Sequence, residues 1–169
     1  MKKEEYTNPN KEHAAVCGLF CASCGIYLDT TEAPEKLAKR AEDYELSIDE
    51  VRCHGCRSDT LFIFCRKNCF MKPCAAEKKI DFCFECPEYP CSELKDFQSE
   101  GPHRIELWKS QERIREAGYE IWYREMLDHY SCPKCDSINS AYDIECRSCG
   151  EKPSCAYVKN HLEAIQQEE

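Results

Sequence analysis

Cys132-Pro-Lys-Cys135 and Cys146-Arg-Ser-Cys149 each put two thiols on one tight turn, ten residues apart, with Gly150 behind the second pair. Four thiolates offered this way close a tetrahedron around one divalent ion, and a glycine after the pair permits the positive backbone angle such a turn uses. Zinc is the expected occupant of an all-sulfur ribbon, and mononuclear iron fits the same geometry. Eleven further cysteines crowd residues 17–91: Cys17, Cys21, Cys24, Cys53, Cys56, Cys65, Cys69, Cys74, Cys83, Cys86 and Cys91. Read as ligands, they divide unevenly. Cys21, Cys24, Cys53 and Cys56 make one set of four from two knuckles, and Cys83 with Cys86 takes two partners from Cys65, Cys69 and Cys74. Cys17 and Cys91 remain, to complete a third site with another cysteine and a histidine, or to bridge two ions. With the ribbon this implies about three or four zinc ions per chain. His54, inside a knuckle, is read as serving the turn or a sulfur hydrogen bond. Cys155 falls on the apolar face of a terminal helix with Val158, Leu162 and Ile165, so it is read as a packing residue.

Other chemistries need parts that the sequence does not offer. Cys17-x3-Cys21-x2-Cys24 has the spacing used by radical S-adenosylmethionine enzymes, but the next cysteine pair follows after 28 residues, too soon for the barrel those enzymes need. No βαβ pattern surrounds a C-x-x-C pair, which argues against a thioredoxin-type redox motif. Hydrolytic zinc requires an open coordination position, and the five histidines form no H-E-x-x-H arrangement. Catalysis by a thiolate would need an accessible, low-pKa cysteine outside the structural sites, for which Cys17, Cys69 and Cys91 are the residues to consider. No catalytic residue is assigned.

Composition chooses between metal and disulfide. Sixteen cysteines in 169 residues fit a secreted disulfide scaffold only in an oxidising compartment, and the opening MKKEEYTNPNKEH lacks the apolar core of a secretory signal. A reducing cytoplasm is expected, where thiols remain free for soft metals. No run is long enough to cross a bilayer. The formal charge of −9 falls by about two more units for each four-thiolate zinc site, so a general grip on nucleic acid is not expected. Arg52, Arg57, Arg66, Lys67, Lys72, Lys78 and Lys79 form the one basic segment, with Phe62, Phe64 and Phe70 interleaved. Its first reading is compensation of thiolate charge, and its second is an acidic or nucleic-acid partner. A protein partner is the expectation for the chain.

The elements that must carry these ligands are short. The fold class expected is α+β: a polar lead over 1–13, an irregular metal-stapled domain with short helices over 14–101, a helical connector over 102–130, a zinc ribbon over 131–152 and a terminal helix over 153–169. Pro34, Leu37, Ala41, Tyr44 and Ile48 predict a helix over about 33–48, and Ser92–Phe97 another. Leu107, Ile114 and Ile121, seven apart, with Tyr119, Trp122, Met126 and Tyr130, predict a long amphipathic helix that Gly118 breaks or bends.

The blocks CGLFCASCGIYL, VRCHGCRS, FCRKNC and KPCAAEKKIDFCFECPEYPCSEL, in that order, resemble a prokaryotic cysteine-rich family known only as a domain of unknown function, some members of which carry a C-terminal CPKC…CRSCG ribbon. The resemblance spans about residues 14–150. It implies metal binding in a bacterial or archaeal cytoplasm and no particular reaction. Together these readings describe a cytoplasmic zinc protein acting as a non-catalytic binding or regulatory module. The alternative is an iron–sulfur protein with a [4Fe-4S] cluster in the residue 17–91 region, serving electron transfer or cluster sensing.

Overall fold

Gly118 decides the architecture, because it turns the expected long helix back on itself. The computed structural model describes residues 2–6 and 8–167; Met1 and Thr7 of the polar lead and Glu168 and Glu169 of the terminal segment lie outside the described residues. Among them the helices run α1 Gly25–Glu32, α2 Pro34–Asp43, α3 Ile48–Val51, α4 Ile63–Asn68, α5 Met71–Lys78, α6 Ser92–Ser99, α7 Leu107–Ala117, α8 Tyr119–Tyr130 and α9 Ala156–Gln166. Short 3-10 turns link several of them. Gly118 ends α7 and starts α8 at φ +83°, ψ 159°, a conformation that a side chain strongly disfavours. The two helices then lie antiparallel. Arg113 of α7 donates to Glu125 of α8 at 2.5 and 2.8 Å, and Glu106, before α7, meets His129 near the end of α8 at 2.8 Å. The turn also explains which apolar residues are buried. Leu107 and Ile114 are buried, whereas Ile121, the third member of the seven-residue series, is 45% exposed because it belongs to a helix running the other way.

The α+β expectation is corrected to a mostly helical fold. Among the described residues there is no sheet, only isolated antiparallel bridges pairing Lys2 with Ser137, Ala14 with Phe20, and Ser131 with Ile138. Backbone hydrogen bonding gives the reason. Extended stretches between thiol turns spend their polar groups within the turn, as when Cys132 N–H reaches Ser137 O at 2.9 Å and Cys146 N–H reaches Glu151 O at 2.8 Å. No ladder is left to extend.

The helix expected over 33–48 is likewise two helices. α2 stops at Asp43 because Glu45 adopts a left-handed conformation (φ 55°), and Leu46 N–H closes back on Ala41 O at 2.9 Å. Ser47 and Glu50 then form a capping box that starts α3 afresh. Leu37 and Ala41 are buried as the pattern requires, but Tyr44 and Ile48 are exposed. Ser92–Phe97 falls within α6.

Trp122, Tyr123, Leu127 and Tyr130 of α8 enter the largest core cluster, which also holds Tyr6, Phe20, Tyr27, Leu28, Ile138, Cys155, Tyr157 and Ile165. The aromatic stripe of the 102–130 segment is therefore packing surface, shared by the N-terminal residues, the ribbon and α9. His13, 6% exposed, sits in the same place, its Nδ1 3.0 Å from Tyr123 Oη. Two smaller clusters lie beside it: Val16, Cys17, Met71, Ala75, Leu94 and Leu107 in one, Ile26, Leu37, Ala41, Val51 and Cys53 in the other. No helix among the described residues is long and apolar enough to cross a membrane.

Candidate metal centres

In the ribbon, two turns repeat one local design. After each pair the next amide closes on the first cysteine's carbonyl: Asp136 N–H on Cys132 O and Gly150 N–H on Cys146 O, both at 3.0 Å. Both residues take positive φ, 58° at Asp136 and 73° at Gly150. Sulfur atoms pair across the turns, Cys132 with Cys149 and Cys135 with Cys146, each at 3.6 Å. Tetrahedral thiolates at 2.3 Å from one zinc ion stand about 3.8 Å apart, so the four ligand atoms fit a single ion. All four lie within 4.8 Å of one another, and no other set of three or more Cys, His, Asp or Glu among the described residues does so. The group could hold a metal ion.

Electrostatics around these sulfurs favour a cation. Hydrogen bonding to Ser137, whose Oγ lies 3.5 Å away, holds the Cys135 thiol down at about 6. Burial pushes Cys132 up to about 12, against the amides of Lys134 and Cys135. Four adjacent thiols resist full deprotonation because the negative charges repel, and a bound dication removes that cost.

Two buried polar residues that the spacing did not reveal hold the ribbon in place. Asn139, fully buried, donates to Ser137 O (2.8 Å) and Ser154 O (3.2 Å) and accepts from Arg147 N–H (2.9 Å), tying both turns to the start of the terminal segment. Asp29 of α1, also fully buried, is clamped between Arg40 of α2 and Arg147, the residue inside the second turn. Arg147 also reaches Asp143 at 3.4 Å. A carboxylate buried with two guanidiniums thus fixes the ribbon to the N-terminal helices. Only the placement of Arg147 between Cys146 and Cys149 hinted at this. Asp29, between Ile26-Tyr27-Leu28 and two threonines, belongs to no motif and gave no signal.

The eleven upstream cysteines are gathered by tertiary supports. Cys56 N–H donates to Cys21 Sγ at 3.4 Å, which brings the 21/24 and 53/56 knuckles together. Cys65 lies in the field of Cys24, Cys53, Cys69 and Cys56. His54 is exposed, its amide closing the turn on Thr60 O at 3.0 Å. Cys17 is buried, and burial followed by the neighbouring Cys56 thiol pushes its pKa well up, the opposite of what a free nucleophile needs. Gln111 of α7, fully buried, joins this region from behind: its Nε2 donates to Val16 O at 3.2 Å and its Oε1 accepts from Phe84 N–H at 2.8 Å. Cys83 N–H also reaches Val16 O, at 2.9 Å. Cys69, Cys74, Cys86 and Cys91 are half-buried. Cys155 is 1% exposed within the largest core cluster.

Basic side chains of the 52–79 segment serve these loops. Arg57 donates to Ala14 O (2.8 Å) and Asp81 O (2.5 Å) and lies 4.9 Å over the Phe82 ring. Lys78 Nζ stands 3.2 Å from Cys86 Sγ and 2.7 Å from Glu88. Both positions are local to the thiols.

Residues 13–96 match the model of a family described as Protein of unknown function (DUF3795). The match takes in all eleven upstream cysteines and stops well before Cys132, so the ribbon lies beyond the region similar to DUF3795. No curated protein and no solved structure matches the chain.

Proposed function

We propose that this protein is a thiolate-metal module of the prokaryotic cytoplasm, without catalysis of its own, whose ribbon holds one structural zinc ion and whose surface binds a regulatory partner. The observation that carries the reading is the convergence of Cys132, Cys135, Cys146 and Cys149 within 4.8 Å, at cross-turn distances suited to a single tetrahedral ion. An all-sulfur set of this kind is closed, leaving no position for substrate, which favours a structural over a catalytic metal. The upstream cysteines, in this reading, hold further metal. The partial burial of Cys21, Cys56, Cys69, Cys74, Cys83, Cys86 and Cys91 and the Lys78 ammonium beside Cys86 support that assignment. For the partner, the strongly acidic charge favours a protein over nucleic acid. Tyr44, Phe62 and Phe64 pack ring on ring while Tyr44 and Phe64 remain 42% and 47% exposed, which suits a protein surface.

Elemental analysis of the full chain purified without oxygen, repeated on Cys135→Ser, tests the ribbon assignment. The wild type should carry zinc, and the variant should lose one equivalent. Zinc content unchanged by Cys135→Ser would overturn it.

A further inference from the structure

Cys74, Cys83, Cys86 and Cys91 line one cavity, which the spacing of the sequence had divided between different sites. α5 supplies Met71, Cys74 and Ala75 from one face, the 3-10 turn Cys83–Glu85 supplies Cys83, and Cys86 follows it. Cys91, immediately before α6, and Leu94 within α6 close the far side. The remaining walls are Phe70, Ile80 and Tyr89, and the space measures about 350 Å³ with its mouth included. Cys83 and Cys91 also pack against one core cluster, with Met71, Ala75 and Leu94. The sequence pattern had paired Cys83 and Cys86 with two of Cys65, Cys69 and Cys74 and set Cys91 apart with Cys17. α5 and α6 instead bring Cys74 and Cys91 together.

We infer that this cavity is a binding site for a [4Fe-4S] cluster, ligated by Cys74, Cys83, Cys86 and Cys91. Two observations separate it from the ribbon. First, ribbon sulfurs crowd within 4.8 Å, the spacing of ligands on one ion, whereas no three of the cavity's thiols approach one another so closely. A four-iron cube binds each thiolate to a different iron, so its ligands stand wider apart than those of a single zinc ion. Second, Lys134 N–H and the Ser137 hydroxyl lie against the ribbon sulfurs, whereas the cavity is lined by cysteine, aliphatic and aromatic side chains, with the Lys78 ammonium 3.2 Å from Cys86 Sγ. Apolar walls limit solvent exposure of a cluster, one of the levers that set its potential. The inference goes beyond the ribbon zinc and stands or falls separately from it.

Anaerobic reconstitution of the full chain with ferric iron, sulfide and dithiothreitol, which reduces half of the iron to the ferrous state, with zinc also supplied, provides the test. The wild type should take up about four iron and four acid-labile sulfide per chain and turn brown. Cys74→Ser and Cys91→Ser should each cut iron at least several-fold while the ribbon keeps its zinc, and Cys135→Ser should lose zinc while keeping iron. Zinc throughout with no iron uptake would overturn the proposal, as would iron unaffected by Cys74→Ser and Cys91→Ser. Alkylation of reconstituted wild-type protein, mapped by mass spectrometry, gives an independent answer without variants. Protection of Cys74, Cys83, Cys86 and Cys91 supports the site, and free reaction at Cys74 and Cys91 overturns it.

Discussion

The ribbon and the cysteine field of residues 17–91 use the same ligand type and are organised in opposite ways. Each ribbon turn is self-contained, with its cysteines three apart, its closing hydrogen bond four residues long and its left-handed residue next in sequence. In the field, the knuckles depend on distant supports. Gln111 holds Val16 and Phe84 from 95 and 27 residues away, and Arg57 reaches back to Ala14. The difference teaches where spacing alone can assign a metal site. Spacing suffices when both halves are turns that complete themselves, and fails when helices such as α5 and α6 decide which thiols meet.

Metal withdrawal strikes this contrast hardest. Structural zinc in small domains contributes roughly 10–16 kcal/mol of apparent binding energy, comparable with the whole net stability of an ordinary domain. Cys149→Ser should release one metal and remove hydrogen-exchange protection from residues 131–152 while α2 and α3 stay protected. Cys24→Ser and Cys56→Ser should instead collapse protection throughout 17–91. Both kinds of variant keeping full metal and full protection would mean that neither region is stapled by metal.

Removing the clamp between the regions should be the next largest effect. Asp29→Ala leaves Arg147, 9% exposed at its side chain, with Asp143 at 3.4 Å as its remaining carboxylate, and breaking a buried pair from one side costs up to about 3–5 kcal/mol. Urea unfolding should show that loss, and the ribbon should become the first segment to exchange. The exposed pair Lys39–Asp43 on α2 provides the contrast, since Lys39→Ala should change stability by less than about 1 kcal/mol. Equal effects from the two substitutions would show that the ribbon is held by its core contacts alone.

What the sequence made legible follows the same division. The ribbon quartet, the break at Gly118 and the packing role of the aromatic stripe were all readable, because each rests on local spacing or on helical period. Three features were hidden for stated physical reasons. Glu45, a residue with no preference for left-handed backbone, ended α2 early, and a capping box at Ser47 restarted the chain. The sheet of the α+β expectation is absent among the described residues because extended stretches around the knuckles spend their hydrogen bonds locally. Asp29, Gln111 and Asn139 fall outside every motif, yet each is fully buried and ties segments that no periodicity connects.

Glu106 sharpens the comparison from the helical side, because it locks α7, α8 and α9 without any thiol. Its carboxylate meets His129 at 2.8 Å and His161 at 3.0 Å. Burial alone would raise its pKa, but the His129 and then His161 imidazoles beside it win and hold it at about 2, below its ordinary 4.5. A carboxylate depressed by folding stabilises the fold above its unfolded pKa, and that stability drains away as pH falls from about 4.5 towards 2. Glu106→Gln should cost about 1–3 kcal/mol at neutral pH. The gap between wild type and variant should close over the same acid window. A gap independent of pH would show that packing, and not ionisation, makes the lock.

Cys155→Ala should give the smallest change, and it tests whether cysteine type alone implies a ligand. The residue directly precedes α9 and lies 1% exposed in the largest core cluster, with Tyr157 and Val158 also buried there. Its sulfur therefore contributes as a small apolar group. Truncating it deletes one buried heavy atom, with a cost of about 1 kcal/mol. Metal content should not change at all. Loss of a metal equivalent would move Cys155 into a site and erase the line between ligand and packing cysteines, because the remaining argument for that line is that an apolar core excludes an uncompensated thiolate.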